Sequence, residues 1–266
     1  MKRLVDVAVA ALGLVALMPL MVLIAAAIWS EDRRCPLFLG KRVGRDGVQF
    51  PMVKFRTMVP DAWKSGVNST ATGDARITRF GRLLRRTKLD EIPQLWNVLT
   101  GDMSLAGPRP QVAAEVALYT ATELKILHAR PGVTDLASIV FSDESEILAG
   151  ADDPDLLYNQ VIRPWKSRLA LAWSERSNLA WDLLILGCTI AGAFSRDYAL
   201  AGVAWILTVW GADPMLIRVA RRREPLVAWP PPGGTDILPA YPRSYRTTLH
   251  VCSTGTENDT SARILR

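Results

Sequence analysis

Two adjacent carboxylates, Asp90 and Glu91, sit in the run KLDEIPQLWNVLTGDMSLAGPRP from Lys88 to Pro110. Ahead of them Arg76, Arg79, Arg82, Arg85, Arg86 and Lys88 follow one another with no intervening acid. Carboxylates beside concentrated cations can move protons, hold a divalent ion or attack an electrophile whose negative charge the cations offset. The same pair also suits the start of a helix, where acids favour the macrodipole and Pro93 fits the first turn. Arg109 lies between Pro108 and Pro110. Their fixed φ angles restrict the backbone and can hold one guanidinium ready for a phosphate, a plain structural turn being the other reading. Cys35, Cys188 and Cys252 are far apart and form no CxxC pair, and His128 and His250 are the only histidines. Disulfide frameworks, thiolate zinc sites and multi-histidine metal sites are thereby unsupported.

The elements that must place these groups begin with an apolar segment. The chain has 266 residues, 49% apolar and 22% charged, long enough for a real core and apolar enough for part of it to meet lipid. Residues 1–110 hold 17 Lys and Arg against 9 Asp and Glu, whereas residues 111–266 hold 15 against 17, so the basic excess is N-terminal. From Val7 to Trp29 there are 23 uncharged residues. As a helix they extend roughly 35 Å, enough to cross the hydrocarbon of a bilayer. That length, and the charged residues Glu31 to Arg34 that follow, fit a cleaved signal peptide poorly. Lys2 and Arg3 precede the segment and Arg33, Arg34, Lys41, Arg42 and Arg45 follow it, so the positive-inside tendency draws both ends to the cytoplasm. Pro19, near the midpoint, favours a break. A re-entrant helix–break–helix hairpin reconciles the two signals, with a kinked span as the alternative.

Glycines and short apolar runs predict a strand or hairpin over 36–58, and residues 64–75 read as a loop. Ile77, Phe80, Leu83 and Leu84 predict a basic amphipathic helix over 76–89, and further helical patterns cover 92–100, 111–128 and 154–178. The apolar runs at 181–194 and 199–212 are too short to span a bilayer and lie along its interface or in the core. Trp165, Trp173, Trp181, Trp205 and Trp210 suit either setting.

Together these stretches resemble the bacterial sugar transferase family, the monotopic polyprenyl-phosphate phosphoglycosyl transferases. The resemblance rests on Lys2-Arg3 with Asp6, KRVGRDGVQFPMVKFRTM at 41–58, DARITRFGRLLRRTKLDEIPQLWNVLTGDMSLAGPRP at 74–110 and ARPGVT at 129–134, in that order, and covers residues 2–195. It implies a compact, helix-rich α+β fold, membrane-associated, on the cytoplasmic face of the bacterial inner membrane. The expected divisions are a re-entrant anchor at 1–35, a catalytic domain at 36–195, an amphipathic or interfacial extension at 196–224 and a disordered tail at 225–266. Two stretches depart from the family pattern: Met18-Pro19 stands where many members have Ser-Pro, and TDLASIVFSDESEIL follows Gly132-Val133.

The resemblance implies transfer of a sugar-1-phosphate from a UDP-sugar to polyprenyl (undecaprenyl) phosphate, giving polyprenyl-diphosphate-sugar and UMP, the step that begins lipid-linked glycan assembly. The family's Asp-Glu pair makes Asp90 the nucleophile of a covalent phospho-sugar intermediate, and Asp90 and Glu91 the ligands of Mg2+. Glu91 is then a metal or acid–base partner, and Arg56, Arg85 and Arg109 are phosphate contacts. Expected partners are the UDP-sugar donor, the polyprenyl phosphate acceptor and membrane lipid, with no nucleic acid and with a homo-oligomer left open. The logic is electrostatic. Two phosphate anions repel by about 4 kcal/mol per pair of unit charges at 4 Å in an effective dielectric near 20, so cations must offset the charge before Asp90 can attack phosphorus. The reading expects the Asp90 oxygen to face a cavity open to both water and lipid. A non-catalytic scaffold that recruits partners to anionic lipid is the rival; it accounts for the basic stripe but not for Asp90-Glu91 and Pro108-Arg109-Pro110.

Overall fold

The computed structural model describes residues 1–242. Helix α1 (Lys2–Asp32) runs without interruption through Pro19, where a break was expected from the sequence, and is long and apolar enough to cross a membrane. Strands β1 (Leu37–Val43) and β2 (Gln49–Phe55) form an antiparallel hairpin, in register from Leu37 opposite Phe55 to Val43 opposite Gln49. Helix α2 (Arg79–Thr87) starts where the Thr78 side chain accepts from the Gly81 N–H, a cap that fixes the start of the basic helix. A 3-10 turn at Leu89–Glu91 joins it to α3 (Gln94–Thr100), and the short strands β3 (Ser104–Ala106) and β4 (Gly132–Thr134) pair in parallel. Between them lie α4 (Ala113–Val116) and a 3-10 turn at Glu123–His128. Then follow α5 (Leu136–Val140), α6 (Glu144–Ile147), α7 (Pro154–Leu157), α8 (Arg163–Arg176), α9 (Leu179–Phe194), α10 (Arg196–Val209) and α11 (Pro214–Ala220). The fold is thus helix-rich α+β.

Both ends of α1 are tied to one domain. Arg3 donates to the carbonyls of Val98 and Leu99, where a cation favours the C-terminal end of α3. Asp6 is buried and accepts from Ser104 Oγ at 2.8 Å and Leu105 N at 3.1 Å. Lys2 pairs with Asp182 at the start of α9. At the other end Asp32 takes a forked bond from Arg56, and Ile24 and Ile28 pack with Phe55 and Leu84. Between these ends Leu12, Val15, Met18, Val22 and Leu23 are exposed.

The principal core gathers Trp165, Leu169 and Trp173 of α8, Ile185 of α9, Val203, Ile206 and Leu207 of α10, and Leu216 and Ala220 of α11. Residues 196–224 thus contribute one face to this core; Trp210 is buried, while the other face of α10, with Tyr198, Trp205 and Val209, stays exposed. The first part of the expected tail is packed against the domain. Trp229 stacks on Trp165 with ring centroids 5.5 Å apart, Gln160 donates to Leu238 O at 2.7 Å, and Tyr241 OH donates to Glu115 at 2.8 Å. Aromatic anchors hold a proline-rich stretch that composition alone presented as disordered; residues 243–266 lie outside the described residues.

Two predicted helices are broken. The pattern over 111–128 is divided because Thr120 and Glu123 cap each other, Thr120 N donating to Glu123 Oε2 and Glu123 N to Thr120 Oγ1, which starts a new turn. The pattern over 154–178 passes through a π turn at Tyr158–Ile162 just ahead of Pro164, which lacks the donor that a regular helix needs.

Candidate active site

Lys88 closes α2 in the left-handed conformation, with φ of 58°, and the chain turns at once through Leu89–Glu91. This sharp exit sets Asp90 and Glu91 on consecutive positions of a turn that packs against α2 and β2. The loop carrying Arg109 is fixed from the other side. There β3 and β4 approach so closely that a Cβ on Gly132 would stand 2.1 Å from Gly107 N, so only glycine fits. Gly107 N donates to Thr134 O and Gly132 N to Pro108 O, both at 3.0 Å, which pins the Gly107-Pro108-Arg109 segment.

The two carboxylates are treated differently. Glu91 accepts from Arg109 Nη1 at 3.2 Å and Nη2 at 2.5 Å, and from Lys54 Nζ at 3.2 Å. Burial pushes its pKa up, but Arg109 and Lys54 outweigh burial and hold it well below the usual carboxylate range. The pairing in turn raises the pKa of Arg109. Asp90 is 7% exposed, and its Oδ1 is sealed from solvent with no hydrogen-bond partner. Burial, aided by Glu91, raises its pKa, while Lys54, Arg85 and Lys88 pull the other way. An open cavity at the Asp90 carboxylate was expected from the sequence; the structure encloses its Oδ1.

Cations crowd the pair. Burial pushes Lys54 down to about 8 against the attraction of Glu91, with Arg109 and Arg42 repelling it. Burial lowers Arg85 while Asp90, Asp74, Glu144 and Glu91 favour its charge. Arg109 also lines a shallow cleft, about 20 Å³, with Gln111, Tyr119, Tyr158 and Lys166. Lys166 is paired with Glu144.

Of the residues expected from the sequence, Asp90, Glu91, Arg85 and Arg109 come together. Arg56 stands apart: its guanidinium is taken up by Asp32 and the Cys35 carbonyl, so it clamps the end of α1. Lys54 was not singled out beforehand. The signal available was its place in the run at 41–58, whose strand face becomes apparent only when β1 and β2 are paired.

Among the described residues no group of three or more His, Cys, Asp or Glu side chains gathers to hold a metal. The donor set still fits Mg2+ bound together with phosphate. That ion commonly takes one or two protein carboxylates and completes its shell with phosphate oxygens and water. Asp90 Oδ1 has no partner, and Glu91 Oε2 has Arg109 as its one recorded donor.

Three relatives carry the comparison. A protein of Erwinia amylovora named UDP-galactose-lipid carrier transferase is 37% identical over 214 residues, 75% of this chain and 41% of its own length. One of Caulobacter vibrioides named UDP-glucose:undecaprenyl-phosphate glucose-1-phosphate transferase is 43% identical over 141 residues, 52% of this chain and 53% of its own length. One of Aeromonas hydrophila named UDP-N-acetylgalactosamine-undecaprenyl-phosphate N-acetylgalactosaminephosphotransferase is 35% identical over 159 residues, 57% of this chain and 36% of its own length. The chain thus spans about half the length of these relatives, or less. The family described as bacterial sugar transferase matches residues 1–196, which include α1, the Asp90-Glu91 turn and the Arg109 loop, and the chain belongs to that family.

Proposed function

We propose that the chain transfers a sugar-1-phosphate from a UDP-sugar to polyprenyl (undecaprenyl) phosphate at the cytoplasmic face of the bacterial inner membrane, the step that begins a lipid-linked glycan. The observation that carries this reading is the contrast within one turn: Glu91 is paired with Arg109 and Lys54, while Asp90 keeps an oxygen with no partner. A carboxylate left without donors but surrounded by cations is suited to attack a phosphorus whose charge those cations offset. The named relatives differ in their sugars, and the two whose names give an acceptor share undecaprenyl phosphate.

An oxygen of Asp90 attacks the sugar-bearing phosphorus of the donor, and the bond to the bridging oxygen breaks so that UMP leaves. A phosphate oxygen of the lipid then attacks the same phosphorus, and the bond to Asp90 breaks, restoring the carboxylate. Oδ1 is enclosed, so the attack falls to the other carboxylate oxygen or requires the side chain to turn when donor arrives. Arg85 and Arg109 hold the diphosphate. Glu91, kept ionised by its two cations, is a weak base and fixes their positions. Bound at Asp90 and Glu91, Mg2+ would supply further neutralisation of the diphosphate.

The acceptor accounts for the anchor. Its phosphate stays at the headgroup plane, so Asp90 must be held at that depth. With Arg3 and Asp6 tied at one end of α1 and Asp32 at the other, both ends belong to one domain, which favours a re-entrant path with both ends at the same leaflet, although α1 itself runs as one helix through Pro19. Incubation with Mg2+, polyprenyl phosphate and a panel of UDP-sugars should release UMP; release of UDP instead would rule out phosphoglycosyl transfer. A cysteine placed at residue 2 should resist labelling from outside intact cells, and ready labelling there would exclude the re-entrant path.

A further inference from the structure

The hairpin β1–β2 presents a cation that the reaction as described does not use. In an antiparallel pair, residues opposite each other share a face. Arg42 lies opposite Phe50, Gly40 opposite Met52 and Phe38 opposite Lys54, so Arg42 and Lys54 flank Gly40 on the same face of the hairpin. The glycine leaves room for the arginine. A Cβ at residue 40 would stand 3.3 Å from Arg42 Nη1 and 2.9 Å from the Phe38 ring, so the guanidinium is folded back along the strand toward the Lys54 end.

Lys54 and Arg109 both have Glu91 as an ion-pair partner. Arg42 is half-buried and, among the described residues, has no carboxylate partner; its one recorded hydrogen bond goes to its neighbour's carbonyl, Lys41 O, at 3.0 Å. It lies near enough to Arg109 and Lys54 to oppose their charge, and burial with Arg109 pushes it down to about 10. A guanidinium drawn into a cluster of like charges without an acid of its own is disfavoured unless an anion joins it.

We propose that Arg42 completes, with Lys54 and Arg109, a phosphate-binding cradle beside Asp90. The inference rests on the phosphoglycosyl transferase reading and adds a residue to it. The shared chemistry is a phosphate oxygen, which either the donor diphosphate or the lipid phosphate brings. Gly40 belongs to the same device, since a side chain there crowds the guanidinium.

The test uses the full chain in lipid nanodiscs, with Arg42→Gln and Arg42→Lys compared with the wild type. UMP release is followed while UDP-sugar is varied at saturating polyprenyl phosphate, and then the reverse. Arg42→Gln should raise one KM by about tenfold to a hundredfold, the range for loss of a charged hydrogen bond, with a smaller change in kcat and a thermal midpoint that does not fall. Arg42→Lys should recover part of the loss. A shift in the UDP-sugar KM assigns the cradle to the donor, and a shift in the polyprenyl phosphate KM assigns it to the acceptor. The cradle is refuted if neither KM moves, or if kcat and thermal midpoint fall together. A wild type that releases no UMP defeats the parent reading instead. In that case calorimetric titration with inorganic pyrophosphate still decides the cradle, because Arg42→Gln must bind it at least tenfold more weakly than the wild type.

Discussion

Around Asp90 the fold is assembled from short pieces: a three-residue turn, a seven-residue helix, two strands of three residues and a hairpin. Behind it α8, α9 and α10 are longer, and their buried faces meet in a continuous apolar cluster around Trp165, Trp173 and Leu207. The first region is held by charge pairs and glycine-tight backbone contacts, the second by apolar burial. The difference assigns separate duties. Charged groups brought together without full compensation lower stability locally, and a well-packed block elsewhere must sustain the fold.

Breaking the site alone should give the largest effect. Asp90→Asn keeps the shape of the side chain but removes the nucleophile; covalent labelling by a radiolabelled sugar donor should disappear and UMP release should fall by a factor on the order of 10⁴. Full activity in that variant would refute the assignment. Breaking the block alone should do the reverse. Trp165→Ala empties a buried site and should lower unfolding stability by about 4 kcal/mol, while labelling per folded molecule stays near the wild-type level. Chemical denaturation beside a labelling assay separates the two.

Glu115 tests whether the block contains charge strain of its own. Burial raises its pKa to about 7, against hydrogen bonds from Tyr241 and Asn159 that lower it. The folded state therefore binds a proton that the unfolded state has released between the ordinary value and about 7. The resulting stability, on the order of 3 kcal/mol, is present at low pH and lost as pH rises through about 7. Thermal unfolding at pH 5.5 and 8.5 should reveal it, and Glu115→Gln should flatten the difference. At the site, Lys54 should lose its charge as pH rises through about 8, and UMP release should fall roughly tenfold on that limb. A falling limb that persists in Lys54→Gln would assign it to another group. The smallest effect belongs to the clamp on α1: a double-mutant cycle on Asp32 and Arg56 should give a coupling of about 1 kcal/mol, since the pair is partly exposed.

The sequence made Asp90, Glu91 and Arg109 legible because their neighbours form contiguous runs, and a run survives without knowledge of the fold. Arg42 and Lys54 were quoted within such a run yet acquire meaning only through strand register, which brings residues twelve positions apart onto one face. The Thr120-to-Glu123 spacing is a recognisable capping signature, and it was masked by the apolar periodicity on both sides of it. The stretch from Trp229 to Tyr241 was hidden by its prolines, although its aromatic residues were the clue that it packs. Enclosure of the Asp90 oxygen could not be read from the run at all, since it depends on how the turn closes against α2 and β2.

The lock between Lys2 and Asp182 joins residues 180 positions apart. At ordinary synthesis rates of about 5–20 residues per second, the lysine leaves the ribosome roughly 10 to 40 s before its partner exists. During that interval α1 can already meet Arg56, Val98, Leu99 and Ser104, which are made first. Asp182 arrives late, as a latch fastened on a segment that earlier contacts have already seated.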